Sequence, residues 1–207
     1  QAQEQVRLLL AGAALCSNAR LVHLTQPSRW QEIGDPTEAA LLVAAMKAGL
    51  EPEILQNESP RLREVPFDSR RRLMSVVLDW HSQLWENEWQ NEHPYFCFTK
   101  GAPLEVLRHC NYTLRDNELV ELTQDDRTAI TTANDHLAGQ GFRVLGVAAR
   151  QGDQELLEKT SAQLEQDLTF MGLVAMFDPP RTEVEEAIAQ CHQAGISVTM
   201  ITGDYGL

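Results

Sequence analysis

Apolar runs separated by short polar punctuation set out the elements of this chain. Over residues 6–15 apolar positions are dense enough for a buried helix. A polar loop follows through Gln26-Pro27-Ser28, and Gly34-Asp35-Pro36-Thr37-Glu38 then leads into an Ala/Leu-rich stretch that stops at Gly49. Asp35 suits an N-cap, Pro36 the first helical position and Gly49 the end. This second helix is apolar on nearly every side through Met46, which predicts that it is sandwiched. Residues 61–67 and 73–80 read as two strands around the polar turn Asp68-Ser69-Arg70. A polar, Trp-containing connection over 81–93 precedes a strand at 95–100. Gly101-Ala102-Pro103 then opens a short helix expected to reach Cys110. A small hairpin around Asp116-Asn117 follows, and Thr123 starts a helix of about four turns punctuated by Gly139 and Gly141.

The last third predicts a strand at 142–150, a helix at 156–164 and a strongly apolar strand at 168–177. Asp178-Pro179-Pro180-Arg181 is a rigid break. A helix over 183–194, ended by Gly195, and a β-rich stretch at 196–201 come after it. Hairpins and helix pairs up to the break predict an α+β fold, mainly an antiparallel sheet flanked by helices. The part beyond it predicts a C-terminal βα fragment of an α/β domain. The expected boundary divides 1–177 from 178–207. Both ends fall inside element patterns, so a longer chain is expected.

Composition narrows the function classes. A length of 207 residues can fill one core, with 43% hydrophobic and 23% charged residues as in ordinary globular chains. A formal net charge of −13 argues against nucleic acid, whose phosphates are met by clustered Lys and Arg. It leaves room for a small anion held by a few local cations. Cys16, Cys97, Cys110 and Cys191 are widely spaced and predict reduced thiols, with neither a zinc site nor a disulfide framework. No apolar run has the length of a membrane span and no segment has a signal-peptide pattern. His23, His81, His93, His109, His136 and His192 lack ligand spacing, so no metal site is predicted. Trp80, Trp85 and Trp89 form no stripe in a regular element.

Six segments occur in a telling order: GDPTEAAL at 34–41, PFDSRRRLMSVV at 66–77, FTKGAP at 98–103, GFRVLGVA at 141–148, DPPR at 178–181 and MITGD at 200–204. Singly, KGA or TGD is weak. Together they resemble the nucleotide-binding domain of P-type cation-transporting ATPases, most similar to the calcium-pump-like branch, with the start of the phosphorylation domain after the break. The resemblance covers nearly the whole chain. It implies a nucleotide-binding domain over 1–177, a hinge and truncated phosphorylation domain over 178–207, and ATP with Mg2+ as ligand. The partners it implies are the phosphorylation, actuator and transmembrane domains of the same pump, in a cytoplasmic domain of an integral membrane protein.

The resemblance carries over residue by residue. Phe67 would give an aromatic face to adenine, and base–aromatic stacking contributes about 1–3 kcal/mol in nucleic-acid proteins. Read from its strand alone, Phe67 is a core residue. Lys100, before Gly101, would line the nucleotide pocket where backbone can come close; otherwise it is a strand-terminal lysine. Glu38 resembles the glutamate that helps hold adenine, and is equally a first-turn acid favoured by the helix dipole. Arg70, Arg71 and Arg72 form a basic run, and strand alternation predicts Arg70 and Arg72 on one face. Arg72 stands where the family usually has Lys and is expected to be cationic toward phosphate. Arg70, where the family often has an acid, receives no role. The alternative for the run is a charged edge strand. Arg143 resembles an arginine that reaches the phosphates and Leu145 a residue packed near the base; as strand positions alone they are surface and core. Asp178 and Arg181 would lie at the hinge. Thr202, Gly203 and Asp204 would help build the phosphorylation site, or form a plain turn.

No DKTGT-like loop and no GDGxND-like segment occurs in the 207 residues. The phosphorylated aspartate of the P-type mechanism is therefore missing, and no catalytic residue is assigned. Phosphoryl transfer depends on several parts acting together. The chain is expected to bind ATP without turnover, as part of an enzyme that couples hydrolysis to transport of Ca2+ or a similar cation. Two other classes stay open: a soluble phosphatase of the haloacid-dehalogenase type, and an interaction module without catalysis.

Overall fold

Strands buried on both faces read as continuous apolar runs, and two such runs form the centre of this molecule. The computed structural model describes residues 2–25, 28–80, 93–116, 118–178, 181–199 and 201. Strands β3 (Arg61–Asp68), β4 (Leu73–Asp79), β5 (Tyr95–Gly101), β6 (Cys110–Arg115), β7 (Glu118–Glu121), β8 (Arg143–Gly152) and β9 (Leu168–Met176) make one sheet in the order β3-β4-β5-β8-β9-β6-β7. All neighbours are antiparallel except β6 and β9, which run parallel. A separate antiparallel hairpin joins β1 (Arg20–Thr25) and β2 (Ser28–Ile33). The α+β class read from the sequence is the one observed.

Helices cover both faces of the large sheet. Helices α1 (Ala2–Leu15), α2 (Pro36–Lys47) and α3 (Pro52–Glu58) lie over one face. There Leu8, Ala11, Leu42 and Leu55 pack with Met74, Val76, Leu78, Phe96 and Phe98. A side chain on Gly12 would collide with the Phe98 ring, so α1 can sit this close only with glycine there. Alternate residues of the same strands face the other way. Leu73 meets Val106 and Leu107 of α4 (Pro103–Arg108) together with Ile130 of α5 (Gln124–Gly139). Val77 and Cys97 meet Leu156 and Leu164. As the apolar pattern predicts, α2 is mostly covered, with Val43 its exposed apolar residue.

Four elements differ from the sequence expectation. The helix expected over 156–164 is a short 3-10 helix (Gln154–Leu157) and a one-turn α6 (Ser161–Leu164). Thr160 starts α6 with a capping box to Gln163, and the new cap cannot lie inside a continuing helix. The helix expected to reach Cys110 stops at Arg108, because Cys110 joins the ladder with Leu168. The arginine run is a turn: residues 69–72 lie between β3 and β4. Beyond the break, α7 (Val184–Gln193) forms as expected, but among the described residues 196–199 pair with no strand. A strand needs a ladder partner, and here Ile196 and Val198 stay exposed. Met200, Thr202, Gly203 and Asp204 lie outside the described residues, as do Pro179, Pro180, Asn117 and the 81–92 connection with His81, Trp85 and Trp89.

Candidate functional site

The sheet register gathers most of the predicted site at one end. Leu73 pairs with Gly101, Met74 with Lys100, and Gly101 with Gly146. Arg143 pairs with Met176, the last residue of β9. The β3–β4 turn, the end of β5, the start of β8 and the end of β9 therefore lie side by side. Asp178 follows two residues after β9, so the chain leaves the sheet at this same end. Asp178 and Arg181 are both exposed.

Helix α2 brings its N-terminus to the site because Asp35 starts it there. Oδ1 of Asp35 accepts hydrogen bonds from the amides of Thr37 at 2.7 Å and Glu38 at 3.4 Å. Desolvation raises the Asp35 pKa, but bonds from Thr37 and Glu38 and the charge of Arg143 outweigh it and hold the carboxyl below its usual range. One turn into α2, Glu38 lies against Lys100. Lys100 Nζ donates to Glu38 Oε1 at 2.8 Å and to Ser17 Oγ at 2.9 Å. Glu38 Oε2 accepts from the amides of Asn18 at 2.7 Å and Ala19 at 3.1 Å. Lys100 is 6% exposed and is thus not an ordinary strand-terminal lysine. It lies on the sheet face covered by α1, with its amine held at the edge of the core. A charge this buried needs a counter-charge, which Glu38 supplies.

Of the two sequence readings of Phe67, the core one is overturned: the residue is 61% exposed. An aromatic so open at the end of β3 offers a free face for a planar ligand. Gly101 is required by close approach, since a Cβ there would collide with the Arg72 carbonyl oxygen. That oxygen accepts from the Ala102 amide at 3.1 Å, tying the β3–β4 turn to the end of β5.

The face-alternation argument for Arg70 and Arg72 is corrected by this turn. Arg72 has φ of 56° and is exposed, and Arg70 is exposed. Arg71 is ion-paired with Glu165 and is not free for a ligand. Arg143 is exposed at the start of β8, near Asp35. Leu145 is half-buried and packs with Leu9, Leu41 and Val147. Among the described residues no group of three or more His, Cys, Asp or Glu is placed to hold a metal, and no helix is long and apolar enough to cross a membrane.

An open aromatic, a buried lysine–glutamate pair, a glycine that lets the β3–β4 turn close on β5 and two exposed arginines lie at one end of the sheet. Such a set can hold a planar base and an anion together. A profile of the P-type ATPase cytoplasmic domain N matches residues 5–183. The chain belongs to this family. Similar proteins include calcium-transporting ATPase 1 of Bacillus cereus, 36% identical over 199 residues, 96% of this chain and 20% of that protein. The calcium-transporting ATPase of Bacillus subtilis is 35% identical over 202 residues, 96% of this chain and 21% of its own length. The sodium/potassium exporting P-type ATPase cta3 of Schizosaccharomyces pombe is 34% identical over 209 residues, 99% of this chain and 18% of its own length. This N domain thus spans about a fifth of the length of these relatives.

Reading single residues missed part of the N-domain cluster. Ser17 and the amides of Asn18 and Ala19 lie in a polar loop with no motif. Glu165 was also missed: an acid in the polar Glu165-Gln166-Asp167 stretch carries no sequence signal of its burial.

Proposed function

We propose that this sheet end is the adenine-nucleotide site of a P-type cation pump. The observation that carries the reading is the buried Lys100–Glu38 pair lying beside Gly101 at the sheet end where β3 presents an exposed Phe67. Phe67 stacks on the base, Glu38 and Lys100 face it with Leu145 packed below, and Gly101 lets the turn that carries Arg72 close against β5. Arg72 and Arg143 meet the phosphates. Mg2+ enters with the triphosphate, as Mg-ATP.

Residues 1–177 form the nucleotide-binding unit, and 178–207 lead through Asp178 and Arg181 into the phosphorylation domain, to which Thr202, Gly203 and Asp204 belong. The sheet ending at Met176 and the profile match ending at 183 support that division. The chain binds ATP without turnover, in keeping with the lack of a DKTGT-like loop in its sequence. Its partners are the remaining pump domains, in the cytoplasmic part of a membrane protein. The calcium-transporting names of two bacterial relatives favour Ca2+ as cargo.

Calorimetric titration tests the reading. Mg-ATP is expected to bind this chain more tightly than Mg-GTP. Phe67→Ala is expected to cost about 1–3 kcal/mol of affinity. Its unfolding midpoint should stay unchanged, because the ring is open to solvent. Equal binding of ATP by wild type and Phe67→Ala would remove Phe67 from the site. No binding at millimolar ATP would favour an interaction module.

A further inference from the structure

The turn that carries Arg72 is held from the opposite face of the sheet. Within the turn, Asp68 Oδ1 accepts from the amides of Arg70 at 2.8 Å and Arg71 at 3.0 Å, and the Arg72 amide donates to Asp68 O at 2.6 Å. The chain then passes through a left-handed conformation at Arg72, φ 56°, which a non-glycine residue keeps only when its surroundings hold it there. The Arg72 carbonyl is bound by Ala102. Arg71 supplies the other anchor: it donates to Pro66 O at 2.8 Å and is ion-paired with Glu165. Glu165 is 2% exposed. Its Oε1 also accepts from Ser75 Oγ at 2.8 Å, and Ser75 lies 2.9 Å from the Thr99 hydroxyl. Among the described residues Arg71 is the cation that balances this buried carboxylate. The link therefore runs directly from Glu165, in the segment after α6, to the residue next to Arg72, while Ser75 of a central strand also holds Glu165.

We propose that Glu165 and Arg71 are positioning residues for the nucleotide. This rests on the nucleotide reading of the sheet end. Neither side chain touches the ligand. Glu165 holds Arg71, and Arg71 fixes the 68–72 turn so that Arg72 and Phe67 are set toward the phosphates and the base. A buried polar group on one face of the sheet thus tunes a site built on its other side.

The test is a cycle of ATP affinities measured by calorimetry on this chain: wild type, Glu165→Gln, Arg72→Ala and the double variant. Glu165→Gln is expected to weaken ATP about tenfold, the scale of one charge-assisted contact. Arg72→Ala should weaken wild type by a similar factor but cost little more in the Glu165→Gln background, where Arg72 is already displaced. A merely structural glutamate would leave the Arg72→Ala factor equal in both backgrounds, and that result overturns the proposal. If Glu165→Gln does not fold, Arg71→Lys carries the same reading. Weakened ATP binding with shifted Arg70 and Ala102 amide resonances supports the role, and wild-type affinity overturns it. ATP binding that Phe67→Ala weakens and Glu165→Gln leaves intact overturns the positioning role alone. Failure of wild type to bind ATP overturns the nucleotide reading and the positioning role with it.

Discussion

Lys100 shows how one residue can belong to both the core and the proposed site. Its side chain is buried, and its amine depends on Glu38 and Ser17. Removing Glu38 strands that amine and also leaves the Asn18 and Ala19 amides without their acceptor. Glu38→Ala is therefore expected to lower unfolding free energy by about 1–3 kcal/mol, read by urea denaturation. Glu38→Gln should cost less, because it keeps an acceptor. An unchanged midpoint for Glu38→Ala would show that the pair is not a structural support. Affinity losses for Lys100 or Glu38 variants must accordingly be read beside their stability, whereas Phe67, open to solvent, reports on the ligand alone. From sequence, the residue types at these positions were legible through the motifs. Burial was not, because it depends on α1 and α2 closing over β5.

At the scale of elements, helix starts set by side-chain caps carry a pH signature. Asp35 caps α2, and Asp126 closes a capping box with Thr123 at the start of α5. The bond from the Thr123 side chain, then its amide, holds the Asp126 carboxyl below its usual range, and Asp35 is held low as well. A carboxylate whose folded pKa is depressed stabilises above its unfolded value, and that stability is lost as pH falls through the folded pKa. The urea midpoint is thus expected to be flat near neutrality and to fall below about pH 4, near the ordinary carboxylate value. Asp126→Asn should make that acid decline shallower, and an unchanged decline would contradict the assignment. The α2 helix was legible because Asp35, Pro36 and Gly49 mark its ends in sequence. The arginine run was not. Whether it continues a strand or turns is decided by Asp68 bonding its own backbone and by the distant Ala102 amide. The helix expected over 156–164 failed for a related reason: apolar spacing alone did not reveal the restart at Thr160.

Over the whole molecule, the sheet brings segments far apart in sequence to one end, and its covered faces protect what lies between. Burial pushes the Cys16 thiol up to about 11 and the Cys97 and Cys110 thiols up to about 12. At neutral pH these thiols carry almost no thiolate, the form that reacts. A thiol reagent is expected to modify Cys191 first in the native chain and all four cysteines in denaturant. Rapid native reaction of three or more would contradict the packing. Order of motifs along the chain was enough to name the family, but only the sheet register, with the Glu38–Lys100 pair, shows that 34–41, 66–77, 98–103 and 141–148 converge. The most direct test of that convergence is a nuclear magnetic resonance titration of the isotope-labelled chain with Mg-ATP. The account predicts that the largest amide shifts fall together on Glu38, Phe67, Arg72, Gly101 and Leu145. Shifts centred on the β1–β2 hairpin or on α7, with that sheet end silent, would contradict it.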